Sequence, residues 1–301
     1  MLTIKTVASE QDFRTICDIE SAIAENSDFS IYTTHPSHLV FDRYLFGSGA
    51  QDIFTYGKLI TNGGAVIGYM LAYLVYPGET EFTLRLLPQF ADYYKAALEG
   101  IEVTFNNKTC FSVIANDTNR SLCQALIECG FVCKNEERWQ SGLDLRKYEE
   151  TIVFWQDEVI TFLSWTDIDD RVKYAEIPTG KSISRNMYET LITSDYYKTA
   201  LDYVVRSANT GEFIGFITWW IDENSKTATL EPVACLPEFR RRGIMKRAVL
   251  YGLNELKQRG LDYAYISTSI HNEKSQPLYR SVGFEKIGTA CRYMKEKIKS
   301  S

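Results

Sequence analysis

Five cations fall within one short stretch of this sequence, Arg240, Arg241, Arg242, Lys246 and Arg247, and Gly243 stands among them. Guanidinium groups beside a glycine can hold a phosphate, because the glycine permits close approach and the uncapped amides of a helix start point at an anion. The neighbouring residues predict such a helix start. Met245, Ala248, Val249, Gly252, Leu253 and Leu256 recur at i, i+3, i+4, i+7, i+8 and i+11, the spacing of one apolar helix face, and Gly260 predicts its end. Cations at the positive end of a helix dipole are unfavourable unless an anion compensates them. A solvated basic patch is the plain alternative; the succession of strand, tight turn, glycine and amphipathic helix favours the anion site.

The elements that must position this cluster belong to an ordinary globular chain. Its 301 residues, 45% hydrophobic and 24% charged, suffice for two domains. A net charge of −6 argues against a nucleic-acid or membrane-surface partner, so the cluster is a local exception suited to one small anion. Cys17, Cys110, Cys123, Cys129, Cys133, Cys235 and Cys291 show no metal-finger spacing and are expected to be reduced, mostly buried thiols, with no bound metal. No charged segment precedes an apolar one at Met1, and no apolar run approaches the roughly 18 residues of a membrane span. A cytoplasmic protein without a membrane partner is the expectation.

Strands are predicted at Leu2–Val7, Ile53–Thr61, Ala65–Val75, Glu81–Leu87 and Thr109–Ala115, with helices at Glu10–Ala24, Ala91–Gly100 and Ser121–Glu128 and a loop at Ser27–Gln51. From Ser141 to Glu158 the apolar pattern weakens, which predicts a linker there, set at 146–158. The order then repeats, with strands at Val159–Ser164, Tyr203–Ser207 and Phe213–Trp220 and helices at Asp167–Lys173 and Ser182–Thr193. Two matches support a duplication. Leu87-Pro88-Gln89-Phe90 corresponds to Leu236-Pro237-Glu238-Phe239, and Asn119 through Gly130-Phe131 corresponds to Asn272 through Gly283-Phe284. After Leu-Pro-x-Phe the first copy reads Ala91-Asp92-Tyr93-Tyr94, without glycine or arginine, and Leu126 stands where the second copy has Tyr279. The first copy is therefore expected to be chemically silent.

Residues 229–284 resemble the GNAT superfamily of acyl-CoA-dependent N-acyltransferases. The family's phosphate loop, [QR]-x-x-G-x-[GA], reads Arg240-Arg241-Arg242-Gly243-Ile244-Met245, and its later pattern reads Asn272, Leu278-Tyr279 and Gly283-Phe284. The paired arrangement is similar to tandem-GNAT enzymes of the mycothiol synthase type. The resemblance implies an α/β fold of two tandem GNAT-like domains, each a central mixed, mainly antiparallel sheet flanked by helices. The expected boundaries are 1–145 for a degenerate N-terminal domain, 146–158 for the linker and 159–301 for the catalytic domain.

By the same resemblance, Pro232 marks a bulge that opens a slot for pantetheine, and backbone groups of Val233 and Cys235 pair with it. The Val233 amide is the candidate for stabilising the oxyanion, and Arg240, Arg241, Arg242, Gly243, Ile244 and Met245 cradle the pyrophosphate. Met245 replaces the family's Gly or Ala, and its place on the apolar stripe directs its side chain to the core. Tyr279 matches the general acid that protonates the CoA sulfur, Glu231 is the candidate base, and Asn272 matches a cofactor-proximal position that helix capping also explains. Cys235 is not expected to act as a nucleophile, because the family transfers the acyl group directly. The implied function is acetyl-CoA-dependent N-acetylation of a small-molecule amine by a monomer or homodimer. A non-catalytic acyl-CoA-binding module and an aminoacyl-type transferase are the other readings.

Overall fold

The computed structural model describes residues 2–26, 35–36, 39–40, 43, 56–76, 78–105, 107–179 and 182–296. Most of the loop expected at Ser27–Gln51, and the start of the strand expected from Ile53, lie outside the described residues. Two compact units emerge, Met1–Gln140 with Ile287–Ser301, and Ser141–Lys286.

The first unit contains β1 (Leu2–Thr6), β2 (Lys58–Asn62), β3 (Ala65–Tyr76), β4 (Glu79–Leu86) and β5 (Cys110–Asn116). They pair in that order, antiparallel except for the parallel pair β4 and β5. A parallel pair needs a crossover, and the helix Tyr94–Thr104 provides it. That helix buries Tyr94, Ala97, Leu98 and Ile101, which share one core with Phe82, Leu84, Phe111 and Val113 of the sheet. The expected helix at Ala91–Gly100 is displaced. Pro88 opens a 3-10 turn over Pro88–Tyr93, where Phe90 leaves helical geometry at φ −113° and ψ 18°, so the α-helix starts only at Tyr94.

β6 (Val132–Asp144) begins in the first unit and ends in the second. The second unit then repeats the order with β7 (Glu158–Phe162), β8 (Leu201–Ser207), β9 (Phe213–Asp222), β10 (Thr227–Cys235) and β11 (Tyr263–Ser269). Again all pairs are antiparallel except the last, β10 with β11. Its crossover is the helix Ile244–Gln258, which buries the predicted stripe from Met245 to Leu256. Gly252 brings this helix against the sheet; a Cβ there would lie 2.1 Å from Trp219 Nε1. The fold class is thus a mixed, mainly antiparallel sheet flanked by helices, built twice.

Three local expectations differ from the structure. Residues 146–158 are tied along the helix Ile244–Gln258 rather than forming a free linker. The Tyr148 hydroxyl and the Thr151 amide each donate to Asn254 Oδ1 at 3.1 Å, and Asn254 Nδ2 returns a bond to the Thr151 carbonyl at 2.8 Å. The unit boundaries also depart from 1–145 and 159–301. β12 (Glu285–Glu296) pairs antiparallel with β5 from Ala290 to Glu296 and so joins the first unit. There Arg292 donates to Glu81, Glu137 and Ser112, and Lys295 to Glu102. All seven cysteines are free, but only Cys17 and Cys291 are buried, because most of the others lie at strand ends and helix termini.

Candidate functional site

The arginine cluster lies beyond the end of β10, and the strand itself is irregular where Pro232 removes a ladder donor. Leu230 pairs with Trp219 and Val233 with Ile217, so three residue steps of β10 span two of β9, a one-residue bulge at Glu231-Pro232. On the other side the parallel ladder with β11 ends early. Only Thr227–Thr229 pair, with Tyr263–Tyr265, although both strands continue. From Leu230 to Cys235 the two strands therefore separate.

The direction of the amides follows from the next residue. The Leu236 amide donates to the Ile214 carbonyl at 2.9 Å, toward β9. Amides alternate sides along an extended strand, so those of Cys235 and Val233 point away from β9 and into the opening. An extended ligand lying there would meet them as a neighbouring strand would.

Below the opening, Pro237–Phe239 forms a 3-10 turn and Gly243 caps the helix Ile244–Gln258 in the left-handed region at φ +73°. A side chain at Gly243 would be strained and would meet Arg247 Nη1 at 3.3 Å. No side chain caps this helix start, so its first amides are offered outward with the positive end of the dipole. The arginines are less free than their number implies. Arg240 Nε donates to the Cys235 carbonyl at 3.0 Å, Arg242 donates to the Glu238 carbonyl at 2.8 Å and lies over the Phe239 ring, and Arg247 pairs with Glu158 at 2.5 Å. They brace the loop as well as charging it. Met245 is 8% exposed and packs into the core, so it does not obstruct the loop.

Tyr279 lies on the short helix Gln276–Arg280 and is 7% exposed. Burial, and then the negative charge of Glu231, push its hydroxyl above the ordinary phenol range. The charge of Glu231, at the bulge, thus reaches the Tyr279 hydroxyl. Burial pushes the Cys235 thiol up to about 11, which keeps it protonated and a poor nucleophile. Asn272 is exposed and bound locally, its Nδ2 donating to Thr268 Oγ1 at 3.2 Å, while the helix N-cap is Ser275. Asn272 therefore does not cap this helix, unlike Asn119 in the first unit, whose Oδ1 accepts from the Leu122 amide at 3.2 Å.

The first unit repeats this frame and closes it. Leu87 and Leu236 both donate to the neighbouring strand at 2.9 Å, and both accept from the phenylalanine that ends Leu-Pro-x-Phe. Parallel pairing of β4 with β5 stops at Phe82 and Val113, but β4 stays in step with β3 from Phe82 to Leu86 and has no bulge there. Tyr94, aligned with Gly243, is 3% exposed, and its hydroxyl accepts from the Leu86 amide at 3.3 Å and from Asn119 Nδ2 at 3.2 Å. Leu86 corresponds to Cys235. The amide that faces the opening in the second unit is satisfied internally in the first.

Sequence reasoning did not single out Tyr94, Trp220 or Asp202. Trp220 donates to the Glu231 carbonyl at 2.7 Å. Asp202 is buried, accepts from the hydroxyls of Tyr188, Tyr197 and Thr218, and pairs with Arg171 at 3.8 Å. Alignment of the two copies held the signal for Tyr94, a bulky residue in the glycine's place; no spacing rule marks the other two. Among the described residues no group of histidine, cysteine and carboxylate side chains has the arrangement of a metal site, and no helix is long and apolar enough to cross a membrane.

This architecture, a mixed sheet flanked by helices and built twice, recurs in solved structures. A GNAT-family acetyltransferase from Colwellia psychrerythraea shares the fold at TM-score 0.65 and 13% identity, covering 98% of this chain and 100% of that one. A tandem GNAT protein from the clavulanic acid biosynthesis pathway aligns over 100% of both chains at TM-score 0.64 and 11% identity. A GCN5-related N-acetyltransferase from Sphaerobacter thermophilus aligns at TM-score 0.62 and 14% identity over 98% of this chain and 95% of its own. Residues 178–284 match the acetyltransferase (GNAT) family model, a stretch that contains the bulge, the arginine loop and Tyr279. No curated protein matches the sequence.

Proposed function

We propose that the protein is an acetyl-CoA-dependent N-acetyltransferase that acetylates a small-molecule amine by direct transfer, with the chemistry in the second unit. The observation that carries this reading is the bulged, splayed end of β10, which aims amides into an opening next to Glu231, whose charge acts on the Tyr279 hydroxyl. Acetyl-CoA is a co-substrate, and the residues suit it: the helix start at Gly243 takes the pyrophosphate, and the amides of Val233 and Cys235 face the pantetheine arm. Glu231 takes a proton from the attacking ammonium, directly or through water. The neutral nitrogen attacks the thioester carbonyl, the Val233 amide stabilises the oxyanion, and the C–S bond breaks as the C–N bond is complete. Tyr279 gives its proton to the departing sulfur, and the second proton that the nitrogen sheds as the amide forms returns to the phenolate through water, while Glu231 releases its proton to solvent.

Thiol release from acetyl-CoA across a panel of amines tests the reading. Tight acetyl-CoA binding without turnover on any amine would leave only a binding module. Gly243→Val is expected to weaken acetyl-CoA binding by about tenfold or more, since a β-branched residue costs of order 1–3 kcal/mol in this conformation; calorimetric titration measures it. The same titration is expected to give one acetyl-CoA per chain, because Tyr94 fills the first unit's equivalent opening. A stoichiometry of two would refute that role for Tyr94.

A further inference from the structure

The bulge that shapes the proposed site leaves the Glu231 carbonyl outside both ladders, since pairing with β9 skips Glu231 and Pro232 and pairing with β11 ends at Thr229. A carbonyl in this position needs another donor or is free to turn. Trp220, 1% exposed, supplies one, its Nε1 lying 2.7 Å from that oxygen. The indole is itself held. Its ring meets the edge of Tyr197 at 6.0 Å and 73°, and the Tyr197 hydroxyl donates to Asp202 Oδ2 at 3.0 Å. Asp202 is fixed in turn by the Thr218 hydroxyl at 3.0 Å and by Arg171. Trp219, the preceding residue, faces the helix Ile244–Gln258 at Gly252, so alternation sends Trp220 to the opposite face of the sheet, where Asp202 and Thr218 bond to each other.

The geometry points to Trp220 as a positioning residue for acyl transfer, anchored through Tyr197 on Asp202. By holding the Glu231 carbonyl, the indole fixes the peptide plane between Glu231 and Pro232. Glu231, with its carboxylate, precedes that plane in the chain, and the Val233 amide follows it. Both groups that act on the reacting carbon and its nucleophile in the proposed reaction thus flank the carbonyl that the indole N–H holds. Pro232 has no amide to replace it. This inference rests on the acetyltransferase reading for its kinetic consequence, but the clamp itself can be observed without turnover.

The test uses the full chain with Trp220→Phe, which keeps an aromatic ring and removes the N–H, and with Tyr197→Phe, which keeps both rings and removes the hydroxyl on Asp202. For Trp220→Phe, kcat is expected to fall about tenfold or more, the loss of one well-placed hydrogen bond beside the reacting groups. The acetyl-CoA dissociation constant is expected to change less than about threefold, so that the loss falls on turnover and not on binding. Tyr197→Phe is expected to give a smaller loss in the same direction. A parallel loss of kcat and acetyl-CoA affinity, or unchanged kcat in a folded variant, would overturn the positioning role. Hydrogen exchange of the Trp220 indole N–H, followed by NMR in the natural protein, is expected to be slow and to quicken in Tyr197→Phe. Fast exchange in the natural protein overturns the clamp, whereas absent turnover with slow exchange overturns only the acetyltransferase reading.

Discussion

Replacing Tyr279 with phenylalanine is expected to lower kcat by about 10²- to 10⁴-fold, the range associated with losing a positioned proton donor, while acetyl-CoA binding changes little. Tyr279 is 7% exposed, and Phe keeps its packing, including the edge contact with Phe284 at 6.4 Å. The effect should therefore appear in turnover and not in the melting temperature. The pH dependence has a definite sign. Burial and the Glu231 charge raise the Tyr279 hydroxyl above the ordinary phenol range, so it stays protonated through neutral pH and loses activity only as pH climbs toward that raised value. An alkaline limb due to Tyr279 should vanish in the variant. Pre-steady-state thiol release with a saturating amine measures the loss; a variant with full turnover would remove Tyr279 from the reaction and leave the rest of the site intact.

Asp202→Ala is expected to destabilise the second unit by about 3–5 kcal/mol, the cost of stranding a buried charge. Arg171 and Asp202 are each 2% exposed, and Arg171 lies 3.7 Å from the Phe216 ring centroid, so no water replaces the carboxylate easily. Removing the carboxylate also leaves the hydroxyls of Tyr188, Tyr197 and Thr218 without their acceptor. Adding Arg171→Met should restore part of the loss, because it removes the stranded charge while the three hydroxyls still lack their acceptor. Urea unfolding of the single and double variants checks this, and a single variant as stable as the natural chain would show that the pair contributes nothing.

The contrast between these residues explains what the sequence could disclose. The helix of Met245 to Leu256 was legible because burial acts at a fixed period, and the loop was legible because Gly243 and its cations violate a local rule. Pro232 by itself marks an edge or a bulge, since a missing amide in a strand has few uses, and the family resemblance selects the bulge. The start of the first crossover helix was misplaced because Pro88 and Phe90 set a 3-10 turn that periodicity does not register. Asp202, Arg171 and Trp220 were illegible for a different reason. Each gains its meaning from a partner far along the chain, and a single aspartate or tryptophan in a strand carries no mark of it. Tyr94 lies between these cases; the alignment of the copies exposed the substitution, but only the bonds to Leu86 and Asn119 show a side chain satisfying the strand amide internally.

β12 follows the whole second unit in the chain, yet its hydrogen bonds complete the sheet of the first. During synthesis from the N-terminus, the first unit's sheet must therefore wait, with β5 unpaired on that side, until the ribosome has passed Glu296. An exposed strand edge can pair with other strands, so that side of β5 stays open to them until β12 arrives. The second unit needs no such wait, since Ser141–Lys286 is already complete. The half that folds last is the one made first.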